Sequence, residues 1–125
     1  MSPAAAIETI YADHLAQALS IPVFAGLSAA QLPQQDSFVV VVCDECQRVA
    51  GPYFRGNLAV LLRTHAMDQP AQTHSSHWAQ LSQALEATPA DTRLRGHWRS
   101  ESNKETEENF WLSRENIVVG FCADN

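Results

Sequence analysis

Five apolar residues in a row, Phe38-Val39-Val40-Val41-Val42, are followed at once by Cys43-Asp44-Glu45-Cys46. Every residue of this run is β-branched or aromatic, which favours a strand, and both strand faces are apolar, which asks for cover on both sides. The run therefore predicts a strand over Phe38–Val49 that is buried at its start and opens towards solvent at Asp44, Glu45, Gln47 and Arg48. Ala50-Gly51-Pro52-Tyr53 is a turn, and a second strand follows over Phe54–Ala66, with Leu58–Leu62 as its buried centre. So short a connection makes an antiparallel hairpin the economical pairing.

The flanks complete the element order. Ala4–Leu19 carries Ile7, Ile10, Tyr11, Leu15, Ala18 and Leu19 at helical spacing, with Ser2 as a capping hydroxyl and Pro3 at the first helical position. Pro22, Gly26 and Pro33 punctuate a connector in which Val23 and Phe24 are placed to pair briefly with a sheet edge. Asp68-Gln69-Pro70 starts a second helix that runs to about Glu86, with Trp78, Leu81 and Leu85 as its stripe and Ala84 and His74 beside it. Arg93–Ser100 is a short strand, SESNKETEEN an exposed polar loop, and Phe110–Ala123 a last strand, strongest at Ile117–Cys122. The fold expected is α+β: one domain over residues 1–125, a mostly antiparallel four- to five-stranded sheet packed with two helices. Two helices leave part of such a sheet for a partner subunit to cover.

Charge narrows the function classes. Eight basic against 14 acidic residues give a net charge of −6, which argues against general binding to nucleic acid or anionic membranes. No apolar run approaches membrane-spanning length, and the acidic start MSPAAAIETIYADH lacks the basic region of a secretory signal. Three cysteines without an export signal fit free thiols in a reducing compartment.

No constellation points to catalysis. In a regular strand residues three apart face opposite sides, so the Cys43 and Cys46 thiols are expected to diverge, and Asp44 and Glu45 would raise a thiolate pKa. A zinc site would need Cys122, histidines or another subunit to complete it. His74 and His77, three apart on a helix, lack a third ligand, and His74 is placed to pack on Trp78. Ser75, Ser76 and Ser113 have no nucleophile context, and the five glycines form no phosphate loop. The expectation is no enzyme, no cofactor and no metal. Arg93, Arg95, His97 and Arg99 alternate, which on a strand collects them on one face. With the acidic run beside them they suit a charge match between protein surfaces better than a nucleic-acid contact. Candidate subunit-interface residues are thus Arg93, Arg95, Arg99, Glu101, Glu105, Glu107 and Glu108.

The layout resembles a known family. A helix, a polar connector, the VVVV strand, the turn with PYFRG, the strand LAVLLRTHA, the helix DQPAQTHSSHWAQLSQAL and the strand FWLSRENIVVGFC resemble the lambda-like tail-terminator proteins of tailed bacteriophages over almost the whole chain. These are packing patterns, most telling over Leu58–Leu85, and the CDEC pair lies outside the family's pattern. The resemblance implies a structural virion protein assembled in the host cytoplasm. It would form a hexameric ring that caps the tail tube, stops its polymerisation and joins the tail to the head connector or stopper protein, with DNA only passing through the lumen. Alternatives are another neck protein (head-completion or stopper), a small zinc or thiol protein using CDEC, and a host-side adaptor or inhibitor.

Overall fold

The computed structural model describes residues 2–26, 37–65, 71–107 and 110–123, with the backbone alone for 100, 101 and 103–107. Helix α1 spans Pro3–Ala18, strand β1 Val23–Ala25, β2 Phe38–Ala50, β3 Tyr53–His65, helix α2 Ala71–Ala84, β4 Leu94–Glu107 and β5 Phe110–Cys122. One five-stranded sheet has the order β1-β2-β3-β5-β4. Among the described residues only the short β1–β2 pairing is parallel. The expected α+β class, the two helices and the hairpin all hold.

Local chemistry sets the boundaries. The Ser2 side chain accepts a hydrogen bond from the Ala5 N–H and Pro3 sits in the first turn, so α1 starts where its orphan donors are met. At the β2–β3 turn Gly51 takes φ +55, a backbone state without steric cost for glycine. The proposed start of α2 at 68–70 lies outside the described residues.

The strands bury one face by period two. Val39 and Val41 of β2, Leu58, Val60 and Leu62 of β3, and Ile117, Val119 and Phe121 of β5 meet Ile7, Ile10, Tyr11 and Leu15 of α1 and Leu81 of α2 in a single cluster. Both helices therefore cover the same side of the sheet, and Leu85, just past α2, joins them. Trp78 packs against this cluster half-buried.

Three expectations are corrected. SESNKETEEN is not a loop in its first eight residues: β4 continues through them to Glu107, paired with β5 down to Glu107 opposite Phe110. An edge strand needs no apolar pattern of its own, and charge on it discourages further pairing, so a polar run is compatible with that place. The basic residues do not share a solvated face either. Arg93 precedes β4, the register shifts between Leu94 and Gly96, and His97 and Arg99 pair with Val119 and Ile117 of the helix-covered face. Finally, the two CDEC thiols do not diverge. The register shifts between Cys43 and Glu45, so Asp44 is an extra residue, and Cys43 and Cys46 stand opposite Leu58 and Gly56. Those partners are two apart, so both cysteines belong to the helix-covered face, where both pack against the core.

Candidate assembly surface and polar interior

The inward phase of the long strands starts apolar and turns polar, and this is where the chain concentrates its chemistry. In β3 the phase runs Leu58, Val60, Leu62, Thr64; in β5 it runs Phe121, Val119, Ile117, Glu115, Ser113. Thr64, Ser113 and Glu115 are buried, and α2 lies over them with His74. His74 Nδ1 is 2.7 Å from Thr64 Oγ1 and its Nε2 is 2.8 Å from Ser113 Oγ, so both ring nitrogens are engaged by hydroxyls. His74 is thus neither packed on Trp78 alone nor free to join His77 at a metal. Among the described residues no group of three or more histidine, cysteine or acidic side chains could hold a metal ion.

Glu115 is answered by Arg99. Nε of Arg99 donates to Glu115 Oε1 at 2.5 Å, and its other nitrogens reach the Ser82 carbonyl at 3.2 Å and Ser82 Oγ at 2.7 Å. The Glu115 side chain keeps 4% of its accessible surface, against 28% for Arg99, so the pair ties the sheet edge to α2 from inside. The carboxylate in turn holds the Arg99 guanidinium pKa above its ordinary value. His97 sits one pair further along. Its Nδ1 is 2.6 Å from the Tyr11 hydroxyl, its Nε2 2.8 Å from the Leu85 carbonyl, and the two rings stack at 5.6 Å. Burial raises the Tyr11 phenol pKa. The buried seam therefore holds β4 under both helices. The cleft between α1 and residues 89–93 encloses about 280 Å³ and is lined by His14 and Arg93, which are already bonded to the Ala84 carbonyl and Asp91.

The sequence reading missed this seam. Its signal was present all the same: polar residues in the apolar phase of two neighbouring strands, at Thr64, Ser113 and Glu115.

The opposite sheet face carries the other phase. Val42, Leu61, Leu112 and Val118 are half-buried there, and Trp98 opposite Val118 is 58% exposed. Arg63 lies over the Phe110 ring at 3.4 Å and near the Phe38 ring at 5.7 Å, a cation held between two aromatics. Arg114 reaches Asp44 at 3.5 Å across β3. Among the described residues no helix packs on this face.

Among the described residues the sheet has two open edges. On β2, β1 pairs only with Val39–Val41; then Gly26 N–H donates to the Val41 carbonyl at 2.8 Å and Cys43 N–H donates to Glu8 Oε2 at 2.8 Å. From Asp44 to Ala50 that edge is largely exposed, Val49 at 63%. On β4 the outer edge has no strand partner among the described residues. Of the candidate interface residues, Arg93 is paired with Asp91 at 3.0 Å and Arg99 with Glu115, while Arg95 is exposed and donates to the Thr92 carbonyl. Glu101, Glu105 and Glu107 are backbone positions of β4 opposite Asn116, Leu112 and Phe110, and Glu108 lies outside the described residues.

The thiols respond to their placement. Burial, then neighbouring Cys46 and Glu8, push the Cys43 thiol from 9.0 up to about 12. The folded chain thus keeps this proton to higher pH than the unfolded chain, whose cysteine titrates near 9.0. The contribution is fully present below about pH 9 and is lost as pH rises towards about 12. Tyr11 acts with the same sign above its ordinary 10.0. Urea midpoints measured across this range are expected to fall with pH, and to fall less steeply in Cys43→Ser; an unchanged slope in that variant would remove Cys43 from the account.

No protein-family model matches the chain, and no curated protein matches it. Among solved structures, a chain of the "Virion of native gene transfer agent (GTA) particle" matches with a TM-score of 0.67 and 16% identity, covering 97% of this chain and 99% of that one. The two share a fold along their full lengths.

Proposed function

We propose that the chain is a structural subunit of a phage-like virion, placed at the end of the tail as a tail terminator. The observation that carries this reading is the fold likeness, end to end, to a chain of a gene transfer agent virion. The layout resemblance to the lambda-like tail terminators supports the finer position. In this reading the subunits form a ring, hexameric in the finished particle, on the last ring of the tail tube. The ring stops polymerisation and presents a surface to the connector or stopper protein above.

Two features suit such a subunit. A sheet face and two opposite edges that no helix or strand covers among the described residues are material for a head-to-tail contact, and such a contact closes into a ring when its rotation permits. Exposed Arg95 on β4 and exposed Asp44 and Glu45 on β2 offer opposite charges at the two edges. The protein's work in this reading is assembly, without catalysis. Its net charge of −6 keeps DNA a passing guest in the lumen.

The test is native mass spectrometry of the purified protein, followed by mixing with tail tubes. Hexamers, or a concentration-dependent ladder towards them, and capped tubes of fixed length are expected. A stable monomer that fails to join tubes sinks the reading. The same spectra bear on the second reading, a thiolate metal site at Cys43 and Cys46, which share a side but which no third ligand among the described residues completes: a monomer carrying one zinc would move the assignment there.

A further inference from the structure

The β2 bulge changes what the two cysteines of CDEC are able to do. In a regular strand they would be three steps apart, about 10 Å, and on opposite sides. With Asp44 extruded, their partners on β3 are Leu58 and Gly56, so the span shrinks to two steps, about 6.6 Å. That lies at the upper end of the range of about 4.4–6.8 Å that a disulfide bridges.

The thiol itself leans the right way. The Cys43 S–H donates to the Glu45 carbonyl at 3.6 Å, between the two cysteines. Its Sγ stands 3.0 Å from where a Cβ on Gly56 would be, and Gly56 is the cross-strand partner of Cys46. The missing side chain of Gly56 thus makes the recess that the thiol occupies. Both cysteines are reduced and half-buried, on the stretch of the β2 edge that β1 leaves unpaired, so a small oxidant has access. Cys122, by contrast, is buried.

We propose that Cys43 and Cys46 form a reversible redox pair, closing into an intramolecular disulfide across the bulge when a glutathione-type disulfide is the oxidant. The Cys46 thiolate attacks one sulfur of oxidised glutathione, the S–S bond breaks, and one glutathione leaves as a thiolate that takes up a proton. The Cys43 thiolate then attacks the Cys46 sulfur of the mixed disulfide and expels the second glutathione. Two electrons pass from the protein pair to glutathione, and two protons go with them.

Cys46 is suited to act first, because the neighbouring Cys43 opposes the upward push of burial on its pKa, whereas the neighbours of Cys43 add to that push. A high thiol pKa slows closure but favours the closed product, since the anionic reduced state gains nothing from its surroundings. Closure would fix the bulge, and with it the edge that the proposed ring contact uses. In a virion subunit the occasion is the passage from a reducing cell interior to an oxidising exterior. The redox pair itself rests on the thiol geometry alone, so its failure and failure of the virion reading are separable.

The experiment approaches equilibrium from both sides. Reduced protein and diamide-oxidised protein are each held in glutathione buffers, mostly oxidised or mostly reduced, at mildly alkaline pH. Samples are acid-quenched, alkylated after unfolding, and read by intact mass and peptide mapping. Expected is the same composition from either side, with a Cys43–Cys46 disulfide dominant in the oxidised buffer and roughly tenfold or more depleted in the reduced one. Cys122 should be alkylated throughout. Cys43→Ser and Cys46→Ser should give a glutathione adduct in place of the loss of two hydrogens. Adducts on single cysteines in the unaltered chain, or return of the diamide-oxidised protein to dithiol in the oxidised buffer, would overturn the proposal.

Discussion

Replacing Arg99 with alanine is expected to destabilise the folded chain by about 2–4 kcal/mol, because it strands a buried carboxylate. Glu115 has 4% of its side-chain surface exposed and one oxygen bonded to Arg99; among the described residues its second oxygen has no hydrogen-bond partner. Removing the guanidinium therefore leaves the buried Glu115 side chain without its partner, and it cuts the tie to Ser82 on α2. The partial exposure of Arg99 keeps the expectation at the lower end of what broken buried pairs cost. The double change Arg99→Met with Glu115→Leu removes both charges and should recover most of the loss. Urea denaturation of the three variants measures this. A loss below about 1 kcal/mol for Arg99→Ala would mean that the pair behaves as a surface salt bridge.

His74→Ala should cost about 3–4 kcal/mol, the sum of a cavity under α2 and two hydroxyls left without their partner. Thr64, His74 and Ser113 each keep 1% or less of their surface, so water cannot replace the ring without opening the core. His74→Leu fills much of the space but still deprives Thr64 and Ser113 of the ring nitrogens, and about 2 kcal/mol is expected. The triple variant Thr64→Val, His74→Leu, Ser113→Ala turns the whole network apolar and should lie closer to the unaltered chain than His74→Leu does. If the triple variant is instead the least stable of the set, the network is a net stabiliser and not merely a satisfied polar island. Thermal or urea unfolding with coincident fluorescence and circular dichroism decides between these outcomes.

Parts of this structure were legible in the residues and parts were not, for physical reasons. Helix α1 was, because Ser2, Pro3 and the Ile7–Leu15 periodicity all act within a few residues of one another. Strands β2, β3 and β5 were, because their apolar centres fit nothing else. Even the three residues of β1 were visible at Val23 and Phe24. The second half of β4 was not, since a strand made of SESNKETE is held by its neighbour β5 and by no preference of its own. The bulge at Asp44 was equally hidden: one extra residue reverses the side of everything after it, and no local pattern announces it. The polar seam lay between. Thr64, Ser113 and Glu115 are polar residues in an apolar phase, a sign the sequence reading passed over, and their partners His74 and Arg99 are set by tertiary packing. Of the arginines expected at an interface, Arg93 and Arg99 already hold carboxylates of the same chain.

The strand order has a consequence for how the protein is made. β5, the last strand in the chain, lies between β3 and β4. Until a ribosome has released residues 110–122, β3 has a bare inner edge and β4 has no neighbour to pair with. The Tyr11–His97 bond, closing a separation of 86 residues, waits for the same event. Folding dominated by such distant pairings belongs to the slow end, roughly milliseconds to seconds, and every truncated product lacks the keystone of the sheet. Synthesis thereby acts as a proofreader: only a chain translated through β5 can complete the sheet.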